Sequence, residues 1–336
     1  MESKIIVFTG PKTAELLTRE TKAVSGDLVA VRMEYTVVSG GTERANIMAM
    51  PNAGGNKFPK TLGYCGVGRV IEVGEQVTSV KPGDRVLVYH GNHMQINVVP
   101  ELKVTKVPYE DMDSLEAAFV IIAAMGLGGL RRLQMELGES GMVMGLGLLG
   151  MFAMQFMRLS GVYPVIAADL NPARRALALE LGADYALDPA EEGFVEKVKA
   201  LTGGKGVNGT VEVTGNAIAL QEALGCAARE GRISLLGCTR VSDCAIDFYK
   251  QVHRPGIKLI GAHNFVRPLY ESRPYEWTHQ DDCKAILALL HAGRIQVKPM
   301  ISRVVKPEQA PEIYRQLCDD PAFSMGTVFD WRDETC

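Results

Sequence analysis

The run Gly141-Met-Val-Met-Gly-Leu-Gly-Leu-Leu-Gly150 places glycines at 145, 147 and 150, between a short apolar stretch and the apolar-rich segment Met151 to Leu159. A buried parallel strand, a tight turn and a packed helix read this way. Such a turn can hold the phosphates of a dinucleotide. The first glycine allows the bend, the second lets pyrophosphate approach the backbone, and the third lets helix and strand pack closely, with the phosphates at the helix N-terminus. The glycine spacing alone is a weak signal, and the next strand strengthens it. Pro164-Val-Ile-Ala-Ala-Asp169 is apolar and ends in a carboxylate, nineteen residues beyond Gly150. An acid there can accept hydrogen bonds from both adenosine ribose hydroxyls, whereas a 2'-phosphate would meet it as a like charge, so NAD is expected rather than NADP. The alternative is that Asp169 merely caps the helix opening at Asn171-Pro172. Arg174 and Arg175 could receive a 2'-phosphate; they are read instead as flanking the adenine or lying on the helix surface.

The elements that must position these groups change character along the chain. From Lys4 to about Pro108 the pattern is short strands and turns: Leu28 to Met33, Gly68 to Glu72, Asp84 to Tyr89 and Gln95 to Val99, with a turn at Lys81-Pro-Gly-Asp84. From about Leu137 to Ala262 strands alternate with helices, which implies a parallel sheet. Strands are predicted at Gly141 to Gly145, Pro164 to Asp169, Tyr185 to Leu187, Thr210 to Val213, Arg232 to Leu236 and Lys258 to Gly261. Helices are predicted at Leu148 to Leu159, Pro172 to Leu181, Gly193 to Thr202, Ala217 to Ala228 and His279 to Ala292, and a last strand near Met325 to Asp330.

Composition narrows the class. The 336 residues are enough for two domains, and a net charge of -3 offers no basic footprint for nucleic acid. The densest apolar run, Ala117 to Leu130, is broken by glycines and falls short of the roughly 18 to 20 residues that span a membrane. Met1 to Pro11 lacks the pattern of a secretory signal, so a cytoplasmic location is expected. Seven cysteines (65, 226, 238, 244, 283, 318 and 336) contain no Cys-x-x-Cys pair, which argues against a disulfide framework and a cysteine-rich zinc lobe. Most are expected to be buried and reduced.

Further motifs span nearly the whole chain: Gly40-Gly-Thr-Glu43, Leu62-Gly-Tyr-Cys-Gly-Val-Gly-Arg-Val-Ile-Glu-Val-Gly74, Val80-Lys-Pro-Gly-Asp-Arg-Val86, Leu181-Gly-Ala-Asp184, Val211-Glu-Val-Thr-Gly215 and Gly231-Arg-Ile-Ser-Leu-Leu-Gly237. Together they resemble the medium-chain dehydrogenase/reductases, the superfamily of zinc alcohol and sorbitol dehydrogenases and of zinc-free quinone and enoyl reductases. The resemblance implies an α/β chain with a β-rich GroES-like catalytic domain from both ends, 1–118 and 265–336. A Rossmann NAD-binding domain, 119–264, is inserted between them, and the active site is in the cleft. It also implies a homo-oligomer, a dimer or tetramer. Residues expected to meet the cofactor are Gly145, Gly147, Leu148, Leu149 and Gly150, then Asp169, Leu170 and Arg174. Val213, Thr214, Gly215, Leu236, Gly237, Gly261 and His263 complete the set.

The departures from the family pattern bear on mechanism. Zinc members carry cysteine where this chain has Gly40, histidine where it has Tyr64, and in sorbitol-type members glutamate where it has Ile121. Glycine and isoleucine cannot coordinate zinc, so no metal is expected. Something else must then stabilise charge on the substrate oxygen. Tyr64 is the first candidate, as a phenol that donates a hydrogen bond or relays a proton; the alternative is that it fills the vacated metal pocket. Cys65 tunes it or is inert. Thr42 and Glu43 correspond to residues that support the nicotinamide ribose or the proton path, and Glu43 could equally hold Arg44 or a backbone amide. His90 and His93, in Tyr89-His-Gly-Asn-His93, are candidate general bases or solvated loop residues. Arg267, Tyr275, Trp277 and His279 lie in a polar, aromatic loop suited to a polyhydroxylated substrate, or to a subunit interface.

The function expected is a zinc-independent, NAD-linked oxidation of a secondary alcohol, such as a sugar, cyclitol or polyol. Two other readings stay open. One is reduction of an activated carbon-carbon double bond, as in quinone and enoyl reductases; the other is a silent nucleotide-binding protein.

Overall fold

The computed structural model describes residues 1–241, 244–320 and 323–332, so Cys336 lies outside the described residues. The chain begins with a hairpin of β1 (Glu2–Gly10) and β2 (Thr13–Glu20), which the sequence reading did not single out. Then come β3 (Leu28–Val37), α1 (Gly40–Ile47), β4 (Cys65–Val73), β5 (Arg85–Tyr89), β6 (Ile96–Pro100), β7 (Val104–Lys106) and the short α2 (Ser114–Ala117). Strand β3 shows why these segments are extended. Its β-branched and apolar residues Val29, Ala30, Val31 and Met33 are buried, and Arg32 is its one exposed position.

After α3 (Val120–Leu133) the strands lose their polar face. β8 (Gly141–Met144) and β9 (Val165–Ala168) are buried at every position, as strands covered on both sides must be. The series runs β8, α4 (Leu148–Leu159), β9, α5 (Pro172–Glu180), β10 (Tyr185–Leu187), α6 (Phe194–Leu201), β11 (Val207–Glu212), α7 (Ala217–Cys226), β12 (Ala227–Leu235) and β13 (Lys258–Gly261). Every strand pair is parallel, in the order β10-β9-β8-β11-β12-β13. Chain direction across the sheet reverses between β8 and β11, the switch point of a doubly wound Rossmann sheet, where such folds bind dinucleotides.

The C-terminal segment supplies α8 (His279–His291), β14 (Arg303–Val305), α9 (Ala310–Asp319) and β15 (Thr327–Asp330). β15 pairs antiparallel with β3, giving a seven-stranded sheet in which β14-β15-β3-β4-β5-β7 follow one another and β6 also pairs with β3. The first and last parts of the chain therefore share one core, in which Phe8, Val31 and Val88 meet Tyr314, Leu317 and Phe329. This is the GroES-like β-rich unit.

Two compact units divide the chain at Ile122/Ala123 and, on return, at Asp282/Cys283, with 294–296 also in the second unit. The boundaries expected were 118/119 and 264/265. Residues 265–282 pack with the second unit because the Asp282 carboxylate accepts from Arg131 and Arg267, and Arg132 pairs with Glu276. No helix among the described residues is long and apolar enough to cross a membrane. Of the described cysteines, Cys65, Cys226, Cys283 and Cys318 are buried, Cys244 is partly covered and Cys238 is exposed; none of these six forms a disulfide.

Candidate functional site

In the second unit the three glycines of the turn differ in what a side chain would meet. Gly145 has φ of 95°, and a Cβ there would lie 2.7 Å from Thr214 Cγ2. A Cβ on Gly150 would lie 1.8 Å from the Gly145 carbonyl oxygen, so helix α4 rests directly on the turn. Gly147 is different: a Cβ there meets nothing within 4 Å, and Gly147 starts α4 with no side-chain cap. The amides of Leu148 and Leu149 open that helix, whose positive end faces the space a Cβ would occupy. An anionic diphosphate fits such a cradle.

Asp169 follows β9 and is mostly covered. Its Oδ2 accepts from the Leu146 amide at 2.7 Å and its Oδ1 from the Asn171 amide at 2.8 Å. Asn171 itself caps α5 by accepting from Ala173 and Arg174 amides, so Asp169 is not the helix cap of the alternative reading. Each carboxylate oxygen keeps acceptor capacity beyond its one amide. Arg175 is committed elsewhere, to the Asp169 and Leu170 carbonyls and to Asp188. Arg174 stands 3.9 Å from Asp169 Oδ2, while Leu170 is exposed beside them.

Sequence reasoning missed Glu212, at the end of β11. Its buried carboxylate accepts from the Thr214 and Gly215 amides at 2.7 and 3.1 Å and from the Thr214 hydroxyl, while its carbonyl accepts from Leu236 and Gly237 amides. Burial raises its pKa against the effect of these bonds. One residue thus fixes both turns, Val213 to Gly215 and Leu236 to Gly237, expected to line the cofactor. Gly261, the last residue of β13, and His263 beyond it are exposed, and His263 Nδ1 accepts from the Phe265 amide at 3.2 Å.

Arg267, expected to meet substrate, bonds Asp282 at 2.7 Å and the Ala124 carbonyl, which makes it a tether. Trp277 lies under the Arg131 guanidinium, 4.0 Å from its ring centroid, and His279 starts α8.

In the first unit the candidate residues separate into two groups. Tyr64 is half-buried, and its hydroxyl shares a hydrogen bond with the Ser39 hydroxyl. Burial pushes the phenol pKa upward, as does the charge of nearby Glu43, so Tyr64 stays protonated at neutral pH. His90 is exposed, with φ of 53° and its ring centroid 6.1 Å from that of Tyr64. Tyr64, Ser39 and His90 therefore form one polar patch.

Glu43 and His93 lie inside. His93 was considered as a general base or a solvated loop residue; its ring is wholly buried, out of reach of substrate and solvent, because the loop is pinned by His93 N donating to Leu62 O and by Ile6 N donating to His93 O. Trp331 Nε1 can only donate, and it donates to Thr36 Oγ1 at 2.8 Å. The Thr36 hydroxyl in turn meets His93 Nδ1 at 2.8 Å, and His93 Nε2 lies 3.2 Å from both Glu43 oxygens. Tyr314 donates to Glu43 Oε2 at 2.7 Å and the Ser39 amide to Oε1 at 2.8 Å. Burial opposes ionisation of Glu43, but His93 and these donors outweigh it and hold the carboxyl below its ordinary range. Of the roles considered for Glu43, the geometry shows the backbone-amide anchor; Arg44 instead reaches the Cys318 carbonyl. Cys65, considered as tuning Tyr64 or inert, is 4% exposed, and burial raises its thiol pKa, so it is packed and unreactive.

Residues 25–130 match the alcohol dehydrogenase GroES-like domain family, and residues 149–271 match the zinc-binding dehydrogenase family. The D-guloside 3-dehydrogenase of Escherichia coli K12 is 28% identical over 354 residues, spanning 97% of this chain and 100% of that protein. A short chain alcohol dehydrogenase of E. coli CFT073, solved with NADH, has a TM-score of 0.82 at 19% identity, covering 98% of this chain and 99% of the other. A dehydrogenase of Sinorhizobium meliloti 1021, bound to NADP, has a TM-score of 0.82 at 20% identity, with 98% and 99% covered. With its GroES-like and Rossmann units and these relatives, the chain belongs to the medium-chain dehydrogenase/reductase superfamily, oxidoreductases that use nicotinamide cofactors. The three positions that ligate zinc in such enzymes offer no thiolate, imidazole or carboxylate here, being Gly40, Tyr64 and Ile121. No three His, Cys, Asp or Glu side chains gather as a metal-holding group among the described residues.

Proposed function

We propose that the protein is a zinc-independent, NAD(H)-dependent dehydrogenase of a secondary hydroxyl on a sugar, cyclitol or polyol. The observation that carries this is Tyr64, a protonated phenol at a metal-ligand position, hydrogen-bonded to the Ser39 hydroxyl. When bound, the nicotinamide supplies the hydride acceptor or donor. Tyr64 holds the substrate oxygen by a hydrogen bond that strengthens as charge develops there, the role a Lewis acid plays in zinc members. A high phenol pKa suits it as donor rather than as a tyrosinate base. Exposed His90, next to Tyr64, takes the alcohol proton to solvent at neutral pH. The Gly147 cradle holds the diphosphate, and Asp169 accepts from the ribose hydroxyls and disfavours a 2'-phosphate, which supports NAD over NADP.

The sugar or polyol class is supported by the full-length relative named for a guloside and by exposed aromatic groups in the loop that carries Tyr275. Homo-oligomerisation is supported by the open edge of β13 and by exposed Phe265, Leu269 and Tyr270 just beyond it.

The test is absorbance at 340 nm with chelator-treated protein. Methyl D-gulopyranoside, myo-inositol and D-sorbitol are each offered with NAD+, and a set of enones and quinones with NADH or NADPH. Turnover of a polyol with NAD+ is expected. Turnover of enones alone would assign the protein to the double-bond reductases, which the lost zinc ligands favour and Asp169 disfavours. Alcohol activity restored only by zinc would refute the metal-free reading.

A further inference from the structure

We propose that Ser39 is a positioning residue that aims the Tyr64 proton at the substrate oxygen. The proposal rests on the role given to Tyr64 above. Ser39 stands at the N-cap of α1, where a serine oxygen ordinarily accepts from a helix amide. Here it makes no such bond. Its hydroxyl turns instead to Tyr64 Oη, so the helix start forgoes a stabilising cap while a contact with the phenol is kept. Local rules of this kind tend to be broken at functional sites.

The backbone of Ser39 is held firmly enough to aim a side chain. Its amide donates to Glu43 Oε1 at 2.8 Å, and Glu43 is gripped by Tyr314 at 2.7 Å and His93 at 3.2 Å. Ser39 itself is 8% exposed. A phenol has one proton to give and can accept at its oxygen lone pairs. If the phenol donated to Ser39, nothing would remain for substrate. With the Ser39 hydroxyl donating to Tyr64 Oη, the phenol proton is left free, and the accepted bond makes that O–H a stronger donor. The buried Glu43, His93 and Tyr314 act on catalysis through this one serine.

The experiment is a double-mutant cycle on the holoenzyme with NAD+ and whichever of methyl D-gulopyranoside, myo-inositol or D-sorbitol turns over fastest. Four proteins are compared: wild type, Ser39→Ala, Tyr64→Phe and the combination of the two; Ser39→Thr serves as the conservative rescue. Ser39→Ala is expected to lower kcat about tenfold to a hundredfold, less than the full contribution of a positioned acid, with the KM for NAD+ unchanged. Ser39→Thr should recover most of that loss. In the Tyr64→Phe background Ser39→Ala should cost nothing more. If Tyr64→Phe lowers kcat but Ser39→Ala is silent, or its loss simply adds, the role of Tyr64 stands and the role of Ser39 is overturned. If Tyr64→Phe is silent, both fall, whatever Ser39→Ala does. A loss shared by Ser39→Thr, with a lower melting temperature and a raised KM for NAD+, would mark Ser39 as merely structural and overturn the proposal. Lack of turnover by wild type on all three compounds overturns the function and this proposal together.

Discussion

Replacing Glu43 with glutamine keeps its shape and removes its charge. The wild-type carboxylate receives the Ser39 amide at 2.8 Å, the Tyr314 hydroxyl at 2.7 Å and His93 Nε2 at 3.2 Å, all within a residue 1% exposed. A glutamine offers one carbonyl oxygen to these donors and points its own NH2 at a remaining one. Each bond to a charged group contributes about 1.5–3 kcal/mol, and a buried donor left facing a donor costs about 1–3 kcal/mol more. Glu43→Gln should therefore cost about 3–5 kcal/mol, the range for breaking a buried charged pair. For a unit of 150–250 residues, that lowers the apparent melting temperature by about 6–20 °C. Tyr314→Phe loses only one donor and should cost about 1–3 kcal/mol. The pH dependence fixes the sign. The folded pKa of Glu43 lies below its ordinary value of 4.5, so its stabilisation is fully present above about pH 4.5 and fades as pH falls through the folded value. Urea melts of wild type and Glu43→Gln, followed by circular dichroism at pH 7, 5 and 3.5, should show a gap that is constant between the first two and narrower at the third. A gap within about 0.5 kcal/mol at pH 7, the size of an ordinary surface change, would refute the claim that an ionised carboxylate anchors this network.

The two glycines of the turn should behave differently on substitution. Gly147→Ala adds a methyl to open space at an ordinary φ of -71°, so melting should be unchanged while NADH binding, read by fluorescence titration, weakens at least tenfold. Gly150→Ala drives a methyl to 1.8 Å from the Gly145 carbonyl and should lower both, with a stability loss of about 1–3 kcal/mol. Asp169→Asn removes the charge but keeps an acceptor for a backbone amide; the kcat/KM preference for NAD+ over NADP+ should fall at least tenfold, and an unchanged ratio would remove Asp169 from cofactor selection. Asp282→Asn leaves two arginines facing a neutral, fully buried side chain and should destabilise by about 3–5 kcal/mol, seen as a lower melting midpoint.

What could be read in the sequence is what depends on near neighbours. Alternating strand and helix signals place β8 to β13, and the glycines and Asp169 lie within one strand–helix–strand unit, so their roles follow from short-range spacing. The buried network obeys no such spacing. Glu43 and Tyr314 are 271 residues apart, and Trp331 reaches Thr36 across 295. Nothing local tells that α9 will lay its tyrosine over α1. His93 read as a candidate base or a solvated loop residue because Gly91, Asn92 and His93 form a polar string, but its backbone is held between Ile6 and Leu62, which draws the ring inward. Helix α1 escaped notice for a more instructive reason. A capping box needs an acid three residues after the serine, and here Glu43 comes four residues after Ser39, behind two glycines that weaken helix propensity. The acid still reaches back to the Ser39 amide, while the serine fails to reach forward. A half-made box is a poor helix signal, and the missing half is the hydroxyl that turns to Tyr64. The feature that hid this helix from the sequence is thus the same one that connects the buried carboxylate to the phenol.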